Sequence, residues 1–153
     1  MIALAVFAAC VIAWAILEAR ATSEDRVESG TLALPTGVVL LAVHVVAVAH
    51  HLLGARAVPV SACAGGVLLA AGIAARLWSI VTLGPQFVTA LHGSTRITTG
   101  PYRFVRHPSE LGLVLAAFGG ALLLGSLPAT LLAAALVPLS IARCRREDAA
   151  LGL

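Results

Sequence analysis

The side chains able to do chemistry gather in two short stretches. The first is Thr99-Gly100-Pro101-Tyr102-Arg103-Phe104-Val105-Arg106-His107-Pro108-Ser109-Glu110-Leu111-Gly112. The second is Arg143-Cys144-Arg145-Arg146-Glu147-Asp148. Pro108 suits the first turn of a helix, where its missing N–H is not needed. A helix is therefore expected to start there, with His107 beside its cap. The free N–H groups and the positive end of the dipole at such a start favour an anion. Glu110 falls at the third helical position, where an acid caps the helix and offsets the dipole. Arg106 is near enough to pair with it. Glu110 also has the chemistry of a general base for a thiol or amine, or of a holder for a cationic substrate. Gly112, one turn in, lets another backbone or a flat ligand come close. The second stretch offers both signs of charge. Carboxylates suit an amino group, a ribose or a cationic centre, and Arg suits a carboxylate.

The elements that must position these stretches are apolar. Only 11% of the residues are charged and the mean hydropathy is +1.02, against roughly 25% charged in a soluble domain. Lipid is the solvent that fits. Apolar runs cover residues 2–19, 32–53, 58–83 and 111–142. A helix needs about 20 residues to cross the hydrocarbon, so the first three runs each supply one span. The fourth is too long for one, and Gly125-Ser126-Leu127-Pro128 is turn chemistry near its middle. A hairpin follows, Ser109–Leu127 and Pro128–Arg143. The expected fold is all-α, a polytopic membrane protein with about five transmembrane helices, the last two as a hairpin. It forms one membrane domain over 1–153: three spans in 1–83, and the chemistry-bearing segment, hairpin and final cluster in 84–153.

The net charge of +3 is the balance of ten Arg, with no Lys, against seven acids. These arginines sit beside long apolar runs, so topology explains them better than nucleic acid does. With residues 84–108 and the C-terminus in the cytoplasm, only Arg56 lies outside, and the N-terminus is extracytoplasmic. Arg76 is expected to snorkel from the end of the third helix, Glu18 to do the same near the end of the first, and Trp14 and Trp78 to lie at the interface. The first run lacks a basic start and a small-residue cleavage site, so it reads as a retained helix. Arg bias and compactness point to a bacterial plasma membrane. The cysteines Cys10, Cys63 and Cys144 have no metal or disulfide spacing. His44 and His51 share a helix face without a carboxylate or thiol beside them, so they read as packing or interfacial residues and no metal is expected.

Gly100-Pro101-Tyr102-Arg103-Phe104-Val105-Arg106-His107-Pro108 followed by Gly112 resembles the Arg-His-Pro-x-Tyr-x-Gly signature of the isoprenylcysteine carboxyl methyltransferase and phospholipid methyltransferase superfamily. Arg146-Glu147-Asp148 is similar to that family's Arg-Glu-Glu element. The likeness covers about residues 76–150. It departs at Glu110, which stands where the family has Tyr, and at Asp148, which replaces Glu. The resemblance implies S-adenosylmethionine as cofactor. His107, Pro108 and Gly112 would line its pocket, and Glu147 and Asp148 would hold its polar groups. Arg143 or Arg146 would brace these, and Tyr102 and Phe104 would cover the adenine. His107, Glu110 and Arg106 are the candidate catalytic residues.

The acceptor would enter sideways from the bilayer. Prenylated cysteine, a small thiol, a lipid amine and an isoprenoid acid all stay open. Two other readings stand beside this one: an NADPH-dependent membrane reductase of the steroid-reductase type, and a non-catalytic membrane subunit. The sequence gives no oligomeric state.

Overall fold

A computed structural model describes residues 2–22, 33–84 and 98–150. Among these residues the chain forms α1 (Ile2–Thr22), α2 (Ala33–Leu52), α3 (Pro59–Leu83), a 3-10 turn (Gly100–Arg103), α4 (Pro108–Leu123), α5 (Leu127–Ala133) and α6 (Leu136–Ala150). The architecture is all-α, as expected. In lipid the helix is the form in which a single segment satisfies its own backbone, and runs of Ala and Leu favour it locally.

Among the described residues three segments are long and apolar enough to cross a membrane: Pro35–Leu52, Pro59–Leu83 and Leu127–Ala149. The apolar stretches Ile2–Leu17 and Pro108–Leu123 are shorter. Large apolar side chains such as Leu41, Val67 and Val81 face outward, while the interior holds alanines such as Ala116, Ala117, Ala129 and Ala133 beside Phe7, Trp14 and several leucines. Water would not tolerate that distribution; hydrocarbon does. The protein is an integral membrane protein.

The most intimate contact is between α3 and α4. Gly65 and Gly72 of α3 meet Gly119 and Gly112 of α4, each seven residues apart on its own helix. A Cβ on Gly72 would lie 2.6 Å from the carbonyl oxygen of Gly112, and one on Gly112 would lie 2.6 Å from that of Gly72. The two backbones therefore touch, which is how membrane helices gain packing energy without a hydrophobic driving force.

The hairpin turn lies where the sequence places it. Gly125 takes φ +69°, Ser126 N–H donates to Ala121 O at 2.9 Å, and Gly125 N–H donates to Leu122 O at 3.1 Å. These are the two bonds of a Schellman stop. Ser126 Oγ then accepts from Ala129 N–H at 3.3 Å and caps α5.

The rest of the hairpin departs from expectation. The returning arm is not one helix over 128–143 but two, α5 and α6, broken at Ala134-Ala135. Pro138 is the cause: it has no N–H for Ala134 O, and its ring crowds that carbonyl. The chain tightens there, with Ala134 N–H bonded to Leu131 O and Val137 N–H to Ala134 O. Beyond the break α6 runs on to Ala150, so the final charged cluster rides on a helix instead of following one. Trp14 also differs. It is buried against His44 of α2, ring centroids 6.2 Å apart, rather than interfacial. Trp78 is half exposed. The side chains of Glu18 and Arg20, and the whole of residues 23–32 and 85–97 with Arg26 and Arg96, lie outside the described residues.

Candidate functional site

Four pieces of chain converge at one end of the α3–α4 pair. α3 contributes Arg76 and Ser79, three apart and thus on one helical face. The 3-10 turn contributes Tyr102, the first turn of α4 contributes His107 to Glu110, and α6 contributes Arg143, Glu147 and Asp148. α4 starts at Pro108 with His107 as its N-cap, as read from the sequence. The His107 side chain makes no capping bond, which leaves its ring for other partners.

Those partners are the two acids of α6. His107 Nδ1 lies 3.1 Å from Glu147 Oε2, and Nε2 lies 3.0 Å from Asp148 Oδ1. An ionised carboxylate only accepts, and a neutral imidazole donates once. Both bonds together need the ring to carry two protons, or one of the acids to carry one. Either way the cluster holds an exchangeable proton between a cap residue and two residues some 40 positions along the chain.

The second pair is deeper. Arg143 Nη1 donates to Glu110 Oε1 at 3.0 Å, with the Glu110 side chain only 6% exposed. Arg106, expected near Glu110, is exposed instead. Arg143 reaches Glu110 because α6 continues past the membrane-facing residues and carries its guanidinium back over α4. Glu110 Oε2 is buried and has no hydrogen-bond partner among the described residues. Arg76 is buried too, at 6% exposure. Its guanidinium donates to Ser109 Oγ at 2.5 Å, so it turns into the helix pair where snorkelling was expected. Arg76, Ser79 and Ser109 belong to the site, and sequence reasoning missed them as site residues. The available signal was the cost of a guanidinium inside an apolar helix, with Ser79 one turn away.

Tyr102 packs over this end of α3 and hydrogen-bonds Ser79. Burial pushes its phenol up to about 12. The Ser79 bond and the Arg76 charge pull it back, while the Glu147 and Glu110 carboxylates add to the rise. Gly100 seats the turn: with φ +56° it lies on Thr82, and a Cβ would meet Thr82 Oγ1 at 2.6 Å. Phe104 points elsewhere, 70% exposed, with Arg103 stacked 4.7 Å from its ring centre. Tyr102 and Phe104 therefore do not form one cover. Gly112 is spent on the α3 backbone, and Pro108 is buried in the first turn. Arg146 is exposed on α6.

Among the described residues, an all-helical membrane fold with an ionic cluster at a helix-hairpin end defines the class. The family model of the isoprenylcysteine carboxyl methyltransferase (ICMT) family matches residues 65–152, more than half of the chain, and the protein belongs to that family. The match begins inside α3 and takes in every residue of the cluster; α1 and α2 precede it. The family is one of membrane-associated methyltransferases. Comparison with curated proteins and with solved structures found no match.

Proposed function

We propose that this protein transfers a methyl group from S-adenosylmethionine to a lipophilic or small acceptor arriving from the bilayer. The observation that carries the reading is the His107–Glu147–Asp148 cluster beside the buried Glu110–Arg143 pair. The donor set fits the cofactor. Glu147 and Asp148 suit its amino group and ribose, and Arg143 and Arg146 suit its carboxylate. Tyr102 supplies a flat phenol that stays protonated. Gly112 offers no cradle, because α3 fills it, so the fit rests on side chains. When bound, the cofactor supplies a methyl group activated by a sulfonium.

The chain's own part is to bind, orient and keep water out. Glu147 and Asp148 move with α6, and His107 ties them to the start of α4. Arg143 ties the same helix to Glu110. The two ties fix the distance between the hairpin arms, and such alignment of reactants is worth about 7–11 kcal/mol of barrier. The concentration of arginines at this end supports its being the cytoplasmic one.

The test is calorimetric titration of the detergent-purified protein with S-adenosylhomocysteine, alongside His107→Ala and Glu147→Ala. Saturable binding is expected for the wild type and its loss in both variants. Failure of the folded wild type to bind would sink the reading.

A further inference from the structure

The charge of the ionic end is set by groups from four elements. α6 brings Arg143, Glu147 and Asp148, and α4 brings His107 and Glu110. α3 brings the buried Arg76, bonded to Ser109 next to Glu110. The 3-10 turn brings Tyr102, which stays protonated because its phenol is pushed up to about 12. Cys144 of α6 is a thiol, ordinarily neutral at neutral pH. Arg106 and Arg146 are exposed, where solvent screens them. Among the described residues, then, three carboxylates face two enclosed guanidiniums, and one negative charge remains. The proton shared by His107, Glu147 and Asp148 cancels it. These three side chains are 17%, 37% and 26% exposed. They are open enough to exchange that proton with water, and enclosed enough to feel an added charge. A cation brought beside them disfavours the protonated imidazole. Proton and cation therefore compete for one place in the charge balance.

We propose that the His107–Glu147–Asp148 cluster tells the charged methyl donor from its neutral product by giving up its proton to the donor's sulfonium charge. This rests on the methyltransferase reading above and adds how the same site separates two nearly identical ligands. In S-adenosylmethionine the ammonium and carboxylate cancel, and the sulfonium leaves a net positive charge. S-adenosylhomocysteine has the same groups without the sulfonium and is neutral. The donor can replace the proton and leave the site's charge unchanged; the product cannot. The donor-bound site then holds one proton fewer than the free protein, and the product-bound site holds the same number. The sign follows by linkage. Donor affinity rises with pH for as long as the free cluster still carries the proton, by up to about tenfold per pH unit, and product affinity does not. Once the free cluster has lost the proton, the advantage stops growing.

The experiment titrates the full-length protein in detergent with S-adenosylmethionine and with S-adenosylhomocysteine. Heats are read in two buffers of different ionisation enthalpy, which counts the protons exchanged on binding. At neutral pH the donor should release at least about half a proton more than the product. From mildly acid to mildly alkaline pH the affinity ratio should turn toward the donor by up to about tenfold per pH unit. The ammonium is common to both ligands, so its own titration drops out of that ratio. Asp148→Asn gives the ring a neutral partner that can donate or accept, so both ring contacts form without the extra proton. In that variant the two ligands should exchange equal numbers of protons. Equal counts in the wild type, with a ratio flat in pH, overturn the proposal whether or not the variant folds. A difference that persists in folded Asp148→Asn overturns it as well, because the proton then sits elsewhere. Binding of neither ligand by the folded wild type removes the methyltransferase reading and this inference with it. Binding of both with equal proton counts removes only the inference.

Discussion

The two ends of α4 are both polar, and they are built in opposite ways. At its C-terminal end the polar groups of the turn are hydrogen-bonded within the fold. Gly125 and Ser126 complete the helix stop, Ser126 caps the next helix, and His51 of α2 donates from Nδ1 to Leu124 O at 3.1 Å. Arg56 closes the same corner on the His51 carbonyl at 3.0 Å. At its N-terminal end the groups are ionic, come from three other elements, and leave Glu110 Oε2 over. A fold that needs only a turn satisfies its polar atoms within the protein, here with backbone groups, a hydroxyl, an imidazole and one guanidinium. Charges drawn from distant parts of the chain, with one oxygen spare, are the mark of a place kept for something else.

The comparison predicts different responses at the two ends. The largest effect is expected at the ionic end. Arg143→Ala leaves Glu110 as a buried charge without its partner, and should cost about 3 kcal/mol of stability, read as a lower unfolding temperature in detergent. Replacing the pair together, Glu110→Leu with Arg143→Met, should recover most of that stability. Arg143→Ala as stable as the wild type would put the two ends on the same footing. At the closed end, His51→Ala orphans the Leu124 carbonyl and should cost about 1 kcal/mol. Its binding of S-adenosylhomocysteine should match the wild type, and a loss of binding would show that the turn and the site are coupled.

The smallest effect belongs to Tyr102, the only tyrosine in the chain, so ultraviolet absorbance follows its ionisation alone. The folded phenol is raised from 10.0 to about 12. Between those values the unfolded chain releases its proton first, so the native state holds more protons and stability falls as pH rises through the window. Below pH 10 the contribution is fully present. Phenolate appearing near 10 in the folded protein would place Tyr102 in water and detach it from the site.

Much of this was legible in the residues themselves. Pro108 announced the start of α4, and Gly125-Ser126 announced the turn, because proline and glycine act on their own neighbours. His107, Glu110, Glu147 and Asp148 stood out by type against an apolar background. The pairing did not, because it depends on how far α6 extends. The break at Ala134-Ala135 shifts the register of everything after it, and only its cause, Pro138, is local. Arg76 read as a helix-end residue, since its burial is decided by Ser109 on another helix. Trp14 read as interfacial, since its burial is decided by His44.

α4 has 16 residues, which rise ~24 Å along the helix axis. The hydrocarbon layer is about 30 Å thick, and the N-terminal end of α4 carries ionic groups that require water or head groups. The shortfall of about 6 Å has to be absorbed by bilayer thinning along this flank or by water dipping to the helix ends. Either way the aqueous boundary is drawn inward beside His107 and Glu110. A lipid-dissolved molecule would then meet the cluster at the depth where its own head group already resides, without being lifted out of its leaflet.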